Sequence, residues 1–222
     1  NRLTHFEYVP LPGGNAASKE PWRMVISYLY DKNGIQTLYP EDFIERIGKK
    51  KINIIEAMID RNVLSPLSSS AGRLFDTISS LIGICDINTY QSEAAIKLEQ
   101  VADIECEEFY PINKNNPLDF KSLVKQIAKD YQLGVPASIL SSRFHNTLVY
   151  SLAHTIYYFS KTTNNNKVIL SGGVFQNKLL SNLLIKQLAA KKLRVFFPSK
   201  IPCNDGSIAI GQMAIAAALT NK

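Results

Sequence analysis

Apolar and polar positions divide the chain into two stretches of different texture. From Pro21 to about Leu64 the pattern is helical and irregularly charged. Pro21 suits a first helical turn, and Trp22, Val25, Ile26 and Leu29 follow on one face. Pro40-Glu41-Asp42 reads as a second helix start, because acidic side chains favour the positive end of the helix dipole. Residues 52–59 give a third short amphipathic helix. No constellation able to do chemistry falls in this stretch, so it is expected to be a helical insert.

From Leu67 onward the pattern becomes α/β. Ser68-Ser69-Ser70 is placed to cap a helix over 71–81, which Gly83 closes. The spacing predicts helices over 91–101 and 118–131, a strand over 105–110, and a long helix from Pro136 to about Phe159. Ile139, Leu140, Phe144, Leu148, Leu152 and Ile156 form the stripe of that last helix. After the turn Asn164-Asn165-Asn166 come a strand over 168–170, a helix over 176–190, a strand over 194–197 and a helix over 207–218. Strand and helix alternate here, which predicts a parallel pair of strands with ligands at their carboxyl ends. The expected division is therefore 1–20 an extended linker, 21–66 a helical insert or subdomain, and 67–222 an α/β nucleotide-binding lobe. Asn1 is not a start residue, and the segment ending Pro10-Leu11-Pro12-Gly13-Gly14 reads as the edge of a longer protein.

Composition narrows the classes. Of 222 residues, 45% are hydrophobic and 20% charged, ordinary values for a globular protein. No apolar run is long enough to cross a bilayer, so no membrane is expected. Three widely spaced cysteines form no CxxC pair, which points away from a disulfide framework and towards a reducing, cytoplasmic home. The net charge of +6 suits a phosphate-bearing ligand. The small clusters at Lys49-Lys50-Lys51 and Lys191-Lys192 carry no interleaved aromatics, so nucleic acid is not the expected partner.

Three places carry candidate chemistry. Gly172 and Gly173, after the strand over 168–170, let a backbone approach a ligand, and the helix start beyond offers free N–H groups to an anion. Asn177, expected one turn into that helix, has an amide suited to a ribose or base edge. Asp205, in the equivalent loop after the next strand, is either a divalent-metal ligand or the N-cap of the helix behind it. Gly72, Arg73 and Asp76 sit together at a helix start. Arg73 and Asp76, three apart, are either an ion pair or a polar face turned to a nucleotide. His145 and His154 are too far apart to share a metal and read as structural, with Arg143 and His145 further candidates for a cleft wall. No P-loop, GxSxG elbow or cysteine–histidine nucleophile pattern is present.

The motifs resemble a known family. Pro10-Leu-Pro-Gly-Gly-Asn-Ala-Ala, Ser70-Ala-Gly-Arg-Leu-Phe-Asp76, Arg143-Phe-His145, Ser171-Gly-Gly-Val-Phe-Gln-Asn177 and Asn204-Asp-Gly-Ser-Ile-Ala-Ile-Gly-Gln212 occur in the order seen in HypF, the hydrogenase-maturation carbamoyltransferases. Asn15, Cys203 and Ser207 depart from the usual residues at their positions. HypF is similar here to the enzymes that make threonylcarbamoyl-adenosine in tRNA. Those usually carry an acidic residue where this chain has Arg73. The resemblance implies the C-terminal lobe of an actin/sugar-kinase/Hsp70-like (ribonuclease H-like) fold with a helical insert. It also implies a carbamoyltransferase that makes carbamoyl adenylate from carbamoyl phosphate and ATP. The carbamoyl group then goes to the C-terminal cysteine of a HypE-like partner, as the precursor of the cyanide ligands of nickel–iron hydrogenase. A divalent metal, iron or zinc, is implied, with Asp205 one ligand and a histidine pair upstream of the chain, so the fragment is expected to be inactive alone. The alternatives are a tRNA threonylcarbamoyl-adenosine-type transferase and a nucleotide-binding module without chemistry.

Overall fold

The computed structural model describes residues 1–31 and 39–220. They form two compact units, residues 1–147 and 148–222. The remainder of the expected insert, residues 32–38, lies outside the described residues.

Unit 1 is built on helices. A short strand β1 (Val9–Pro10) and one turn of helix, α1 (Ala16–Lys19), precede α2 (Trp22–Leu29), α3 (Glu41–Ile47) and α4 (Lys49–Asp60). Strand β2 (Leu67–Ser68), α5 (Ala71–Leu81), α6 (Glu93–Gln100), α7 (Lys121–Gln132) and the first part of α8 (Ala137–Thr162) complete it. Helix α2 is buried on nearly every side and packs against α5, α4 and α7. Its Met24, Val25 and Ile26, with Leu74, Phe75 and Ile78 of α5, are the centre of the core. Phe75 meets Phe144 of α8 edge to face at 5.0 Å, the favoured geometry for two rings with opposed edge and face charge.

Two expectations are corrected here. Residues 1–20 are not a free linker. β1 pairs antiparallel with β2 (Val9 opposite Ser68, Pro10 opposite Leu67), and Leu11 and Gly13 donate to the Pro66 and Leu64 carbonyls at 2.7 Å. Val9 and Ala17 are buried with the core. Nor do residues 105–110 form a strand. Three of their backbone groups bond to side chains of α8 instead of to a neighbouring strand, and the Glu105 and Cys106 amides donate to Asp103. Asn146 Nδ2 donates to the Cys106 and Glu108 carbonyls at 2.8 and 2.9 Å, and the Tyr110 amide donates to Thr147 Oγ1 at 2.8 Å. Ser142 Oγ donates to the Asp103 carbonyl at 2.7 Å.

Unit 2 holds the rest of α8, then β3 (Lys167–Ile169), α9 (Lys178–Ala190), β4 (Arg194–Phe196) and α10 (Ile208–Thr220). β3 and β4 pair in parallel, Val168 opposite Val195. A parallel pair needs a crossover, and α9 supplies it with Leu180, Leu184 and Leu188 buried along one stripe. α10 is apolar on all sides, with Ile208, Ile210, Met213, Ile215 and Leu219 exposed. Among the described residues no helix is long and apolar enough to cross a membrane, and Cys85, Cys106 and Cys203 are all free thiols.

Two titratable groups are buried in unit 1 with opposite consequences. Asp76 is 1% exposed, and burial pushes its carboxyl up to about 6 against the pull of Arg73 and a hydrogen bond from Asn88. His145 is fully buried between the Phe75 and Phe144 rings, with Nδ1 donating to the Ser141 carbonyl at 2.8 Å, and burial pushes it down to about 4. Asp76 binds its proton more tightly folded than unfolded, so its contribution to stability is complete below the ordinary carboxyl value of about 4 and is lost as pH rises through about 6. His145 binds its proton less tightly folded, so its contribution is complete above about 6.5 and is lost as pH falls through about 4. The two slopes oppose each other across one window. Measured by urea denaturation from pH 4 to 7 and relative to the wild type, Asp76→Asn is expected to make stability rise more steeply with pH. His145→Gln is expected to make it fall. Slopes of the same sign in both variants would contradict this assignment.

Candidate functional site

The residues singled out from sequence fall in both units. In unit 1, Ser70 Oγ accepts from the Arg73 amide at 3.5 Å and caps α5, so Gly72 and Arg73 lie in its first turn. Arg73 Nη1 lies 2.8 Å from Asp76 Oδ2 and also donates to the Ala17 carbonyl at 3.4 Å. The ion pair is close but badly directed for a hydrogen bond, and Asp76 Oδ2 has no hydrogen-bond partner. That mismatch accounts for burial outweighing Arg73 in setting the carboxyl's proton affinity. Asp76 is thus turned to Arg73 inside the unit, the ion-pair alternative of the two. Gly72 has an ordinary backbone conformation, and a methyl group there would meet only Ser70 Oγ, at 3.6 Å. Nothing in the packing of unit 1 demands glycine at 72.

Of the two cleft-wall candidates, Arg143 lines a groove of about 680 Å³ with Glu108, Tyr110 and Asp130, whereas His145 does not. Arg143 is held by Glu108 and by Asp130, the latter at 3.0 Å, and ties the irregular segment after α6 to α7. His145 is core.

In unit 2 the loops after β3 and β4 leave from the same ends of two parallel strands, and the Gly172 amide donates to the Cys203 carbonyl at 2.7 Å. Gly172 has φ 110° and ψ 154°, a conformation essentially reserved for glycine. Gly173 begins a short 3₁₀ turn, Gly173–Gln176, at ordinary φ. A methyl group at 173 would meet only Asn204 Cβ, at 3.9 Å, so the fold leaves that side of the loop open. The two glycines therefore have different reasons: 172 for the backbone, 173 for space.

Asn177 is not one turn into the following helix. It is the N-cap of α9, 9% exposed, with Oδ1 accepting from the Leu180 amide at 2.7 Å. The 3₁₀ turn takes Gln176, which the sequence pattern assigned to the helix, so α9 begins at Lys178. Asp205 is exposed, in a second 3₁₀ turn, Asp205–Ser207, and the cap there is Asn204, whose Oδ1 accepts from the Gly206 amide at 3.0 Å. Among the described residues no three His, Cys, Asp or Glu side chains gather closely enough to hold a metal. The residues present do not make a metal site, and Asp205 offers one carboxylate. Sequence reasoning missed Cys203 and Asn204 as the braces of this loop pair. Asn204 ahead of Asp205-Gly206 carries a turn signal that was available; the Cys203 carbonyl carries none.

With this geometry in hand, the comparisons give it a family. Residues 1–212 match the family described as "Carbamoyltransferase, Kae1-like Domain, second subdomain". The "Carbamoyltransferase HypF homolog" of Cupriavidus necator is 32% identical over 97% of this chain, which spans 57% of that relative's length. A solved structure titled full-length HypF in the phosphate- and nucleotide-bound form matches with a TM-score of 0.88 at 34% identity, over 100% of this chain and 29% of that one. The crystal structure of T. kodakarensis HypF matches with a TM-score of 0.83 at 26% identity, over 97% of this chain and 29% of that one. The α/β architecture expected from the resemblance is the one these structures share. The chain belongs to the HypF carbamoyltransferase family, as the second subdomain of its Kae1-like domain.

Proposed function

We propose that this chain is the lobe of a carbamoyltransferase that binds ATP and carbamoyl adenylate and presents the carbamoyl group to the C-terminal cysteine of a HypE-like acceptor. The observation that carries the reading is Gly173. The fold has room for a side chain there and does not need glycine, so the open space is left for a ligand to approach the backbone. The nearby N-terminus of α9 adds amide donors and a positive dipole end that favour phosphate. Gly72 is left open in the same way at the start of α5. Arg73 supplies a cation there, and Asp76 holds the guanidinium in place.

In the transfer, the acceptor's thiolate sulfur attacks the carbamoyl carbon of the adenylate. A carbon–sulfur bond forms, the carbon–oxygen bond to the phosphate breaks, and AMP leaves with the electron pair. The nucleophile comes from the partner, in keeping with the absence of any cysteine–histidine nucleophile pattern in this sequence. Were a divalent metal, iron or zinc, to bind here, Asp205 would offer it a single carboxylate, and the other ligands would have to come from elsewhere. Free thiols throughout the described residues suit a cytoplasmic home.

Three measurements test the reading. Gly172→Ala is expected to destabilise the chain by about 1–3 kcal/mol in urea denaturation, through backbone strain. Gly173→Ala is expected to be close to neutral. In the full-length protein, Gly173→Val is expected to weaken ATP binding at least about tenfold by calorimetry, with the thermal midpoint little changed; unchanged ATP affinity would remove Gly173 from the site. In the same protein, mass spectrometry of the acceptor's C-terminal peptide is expected to gain one carbamoyl group, and Arg73→Glu to reduce that gain. Nucleotide binding with no carbamoyl transfer would leave only the binding module.

A further inference from the structure

The positive charge of the chain is not spread over it. Residues 148–222 contain eight lysines, Arg194 and one acidic residue, Asp205, a net charge of +8. Residues 1–147, with sixteen cations against eighteen carboxylates, carry −2. Within unit 2 three of these nine cations line one groove of about 850 Å³, formed where the end of α8 and the Asn164-Asn165-Asn166 turn face the end of α9. Lys161, Lys191 and Lys192 line it beside Tyr157 and Ser160, and no carboxylate does. The ammonium groups of Lys161 and Lys191 lie over the same Tyr157 ring, at 5.2 and 5.0 Å from its centroid. No aromatic interleaves with the Lys191-Lys192 cluster in sequence, but the fold brings one to it in space. The tyrosine comes from more than thirty residues away, on another helix.

We propose that this groove is a docking surface for an acidic segment of a protein partner, with glutamate or aspartate side chains seated between Lys161 and Lys191. The two ammonium groups gathered about one ring carry like charge, no carboxylate of the groove offsets it, and an acidic side chain of a partner supplies that offset. The asparagine turn adds amide donors along the rim. The same features disfavour a nucleic acid. Base stacking needs a free aromatic face, and the Tyr157 ring is taken by lysines while Phe196 is taken by Arg194 at 4.9 Å. The cations of the groove are lysines, compact point charges without the planar fork that suits bidentate contacts to phosphate and base. The proposal does not depend on the transfer chemistry, because neither Gly172 nor Gly173 lines the groove.

Fluorescence anisotropy on the full chain at low ionic strength tests it, with a labelled glutamate hexapeptide and a labelled uridine hexanucleotide as probes. The peptide is expected to bind more tightly than the oligonucleotide, and added salt to weaken it. Lys161→Glu with Lys191→Glu is expected to weaken the peptide about tenfold or more. Lys49→Glu with Lys50→Glu, at an exposed lysine cluster of unit 1, is expected to change it less than about twofold. All four lysines are exposed, and unchanged thermal midpoints verify that each variant is folded. Failure of the peptide to bind, equal losses in the two double variants, or tighter binding of the oligonucleotide would overturn the proposal.

Discussion

The parallel pairing of β3 with β4 is the constraint on which the candidate site of unit 2 depends. Parallel strands cannot be joined by a tight turn, so a crossover must run back to the start of the sheet, and α9 is that crossover. The geometry sends both loops out at the strand carboxyl ends, where the Gly172–Cys203 hydrogen bond fixes their separation. Gly172 makes the bond possible by taking a conformation that a side chain would forbid. Gly173, next along, inherits an open position. The pairing, the tether and the open glycine are successive consequences of one topology. A fault in any of them would show at Gly173 before it showed in the core.

How much of this was legible in the sequence depended on the range of the forces involved. The helices of both units follow from apolar periodicity, and α4, α5, α7 and α9 lie within a few residues of where the spacing puts them. Ser70 before α5 was readable because a cap acts over three residues. The errors lie where long-range contacts decide. β1 has two residues and no alternation, and only its partner β2, far along the chain, makes it a strand. Residues 105–110 have strand-like composition, but Asn146 and Thr147 of α8 bond three of their backbone groups, an arrangement no local pattern encodes. α10 shows the converse. Its sequence is apolar all round, the pattern of a helix buried on every side, yet its apolar residues are exposed in unit 2.

The candidate site was legible as motifs and less so as roles. Gly172, Gly173 and Asp205 lie on the loops where the strand–helix alternation puts them. Asn177 caps α9 by accepting from the Leu180 amide, and Asp76 is buried against Arg73 as an ion pair, so each side chain is engaged within its own unit. Arg143 and His145 are likewise structural: one braces the segment before α7, the other fills the core beside Phe75. A motif mixes residues the fold needs, such as Gly172, with residues it does not, such as Gly72 and Gly173, and only geometry separates the two.

Charge adds a second layer of organisation that neither motif nor periodicity reveals. The net +6 of the chain is the sum of a slightly acidic unit and a strongly basic one, so the value for the whole describes neither. A field of one sign over 75 residues attracts every anion, whether phosphate or carboxylate, and raises its local concentration without selecting among them. Selection then has to come from shape. Around Gly173 the shape is an open backbone with helix amides nearby, suited to a phosphate drawn close to the main chain. At Tyr157 it is a wide groove with two ammonium groups on one ring, suited to several carboxylates in a row. If both proposals hold, the same electrostatic excess serves two sites of different geometry, and a change in ionic strength acts on both, whereas a substitution in either loop or groove acts on one.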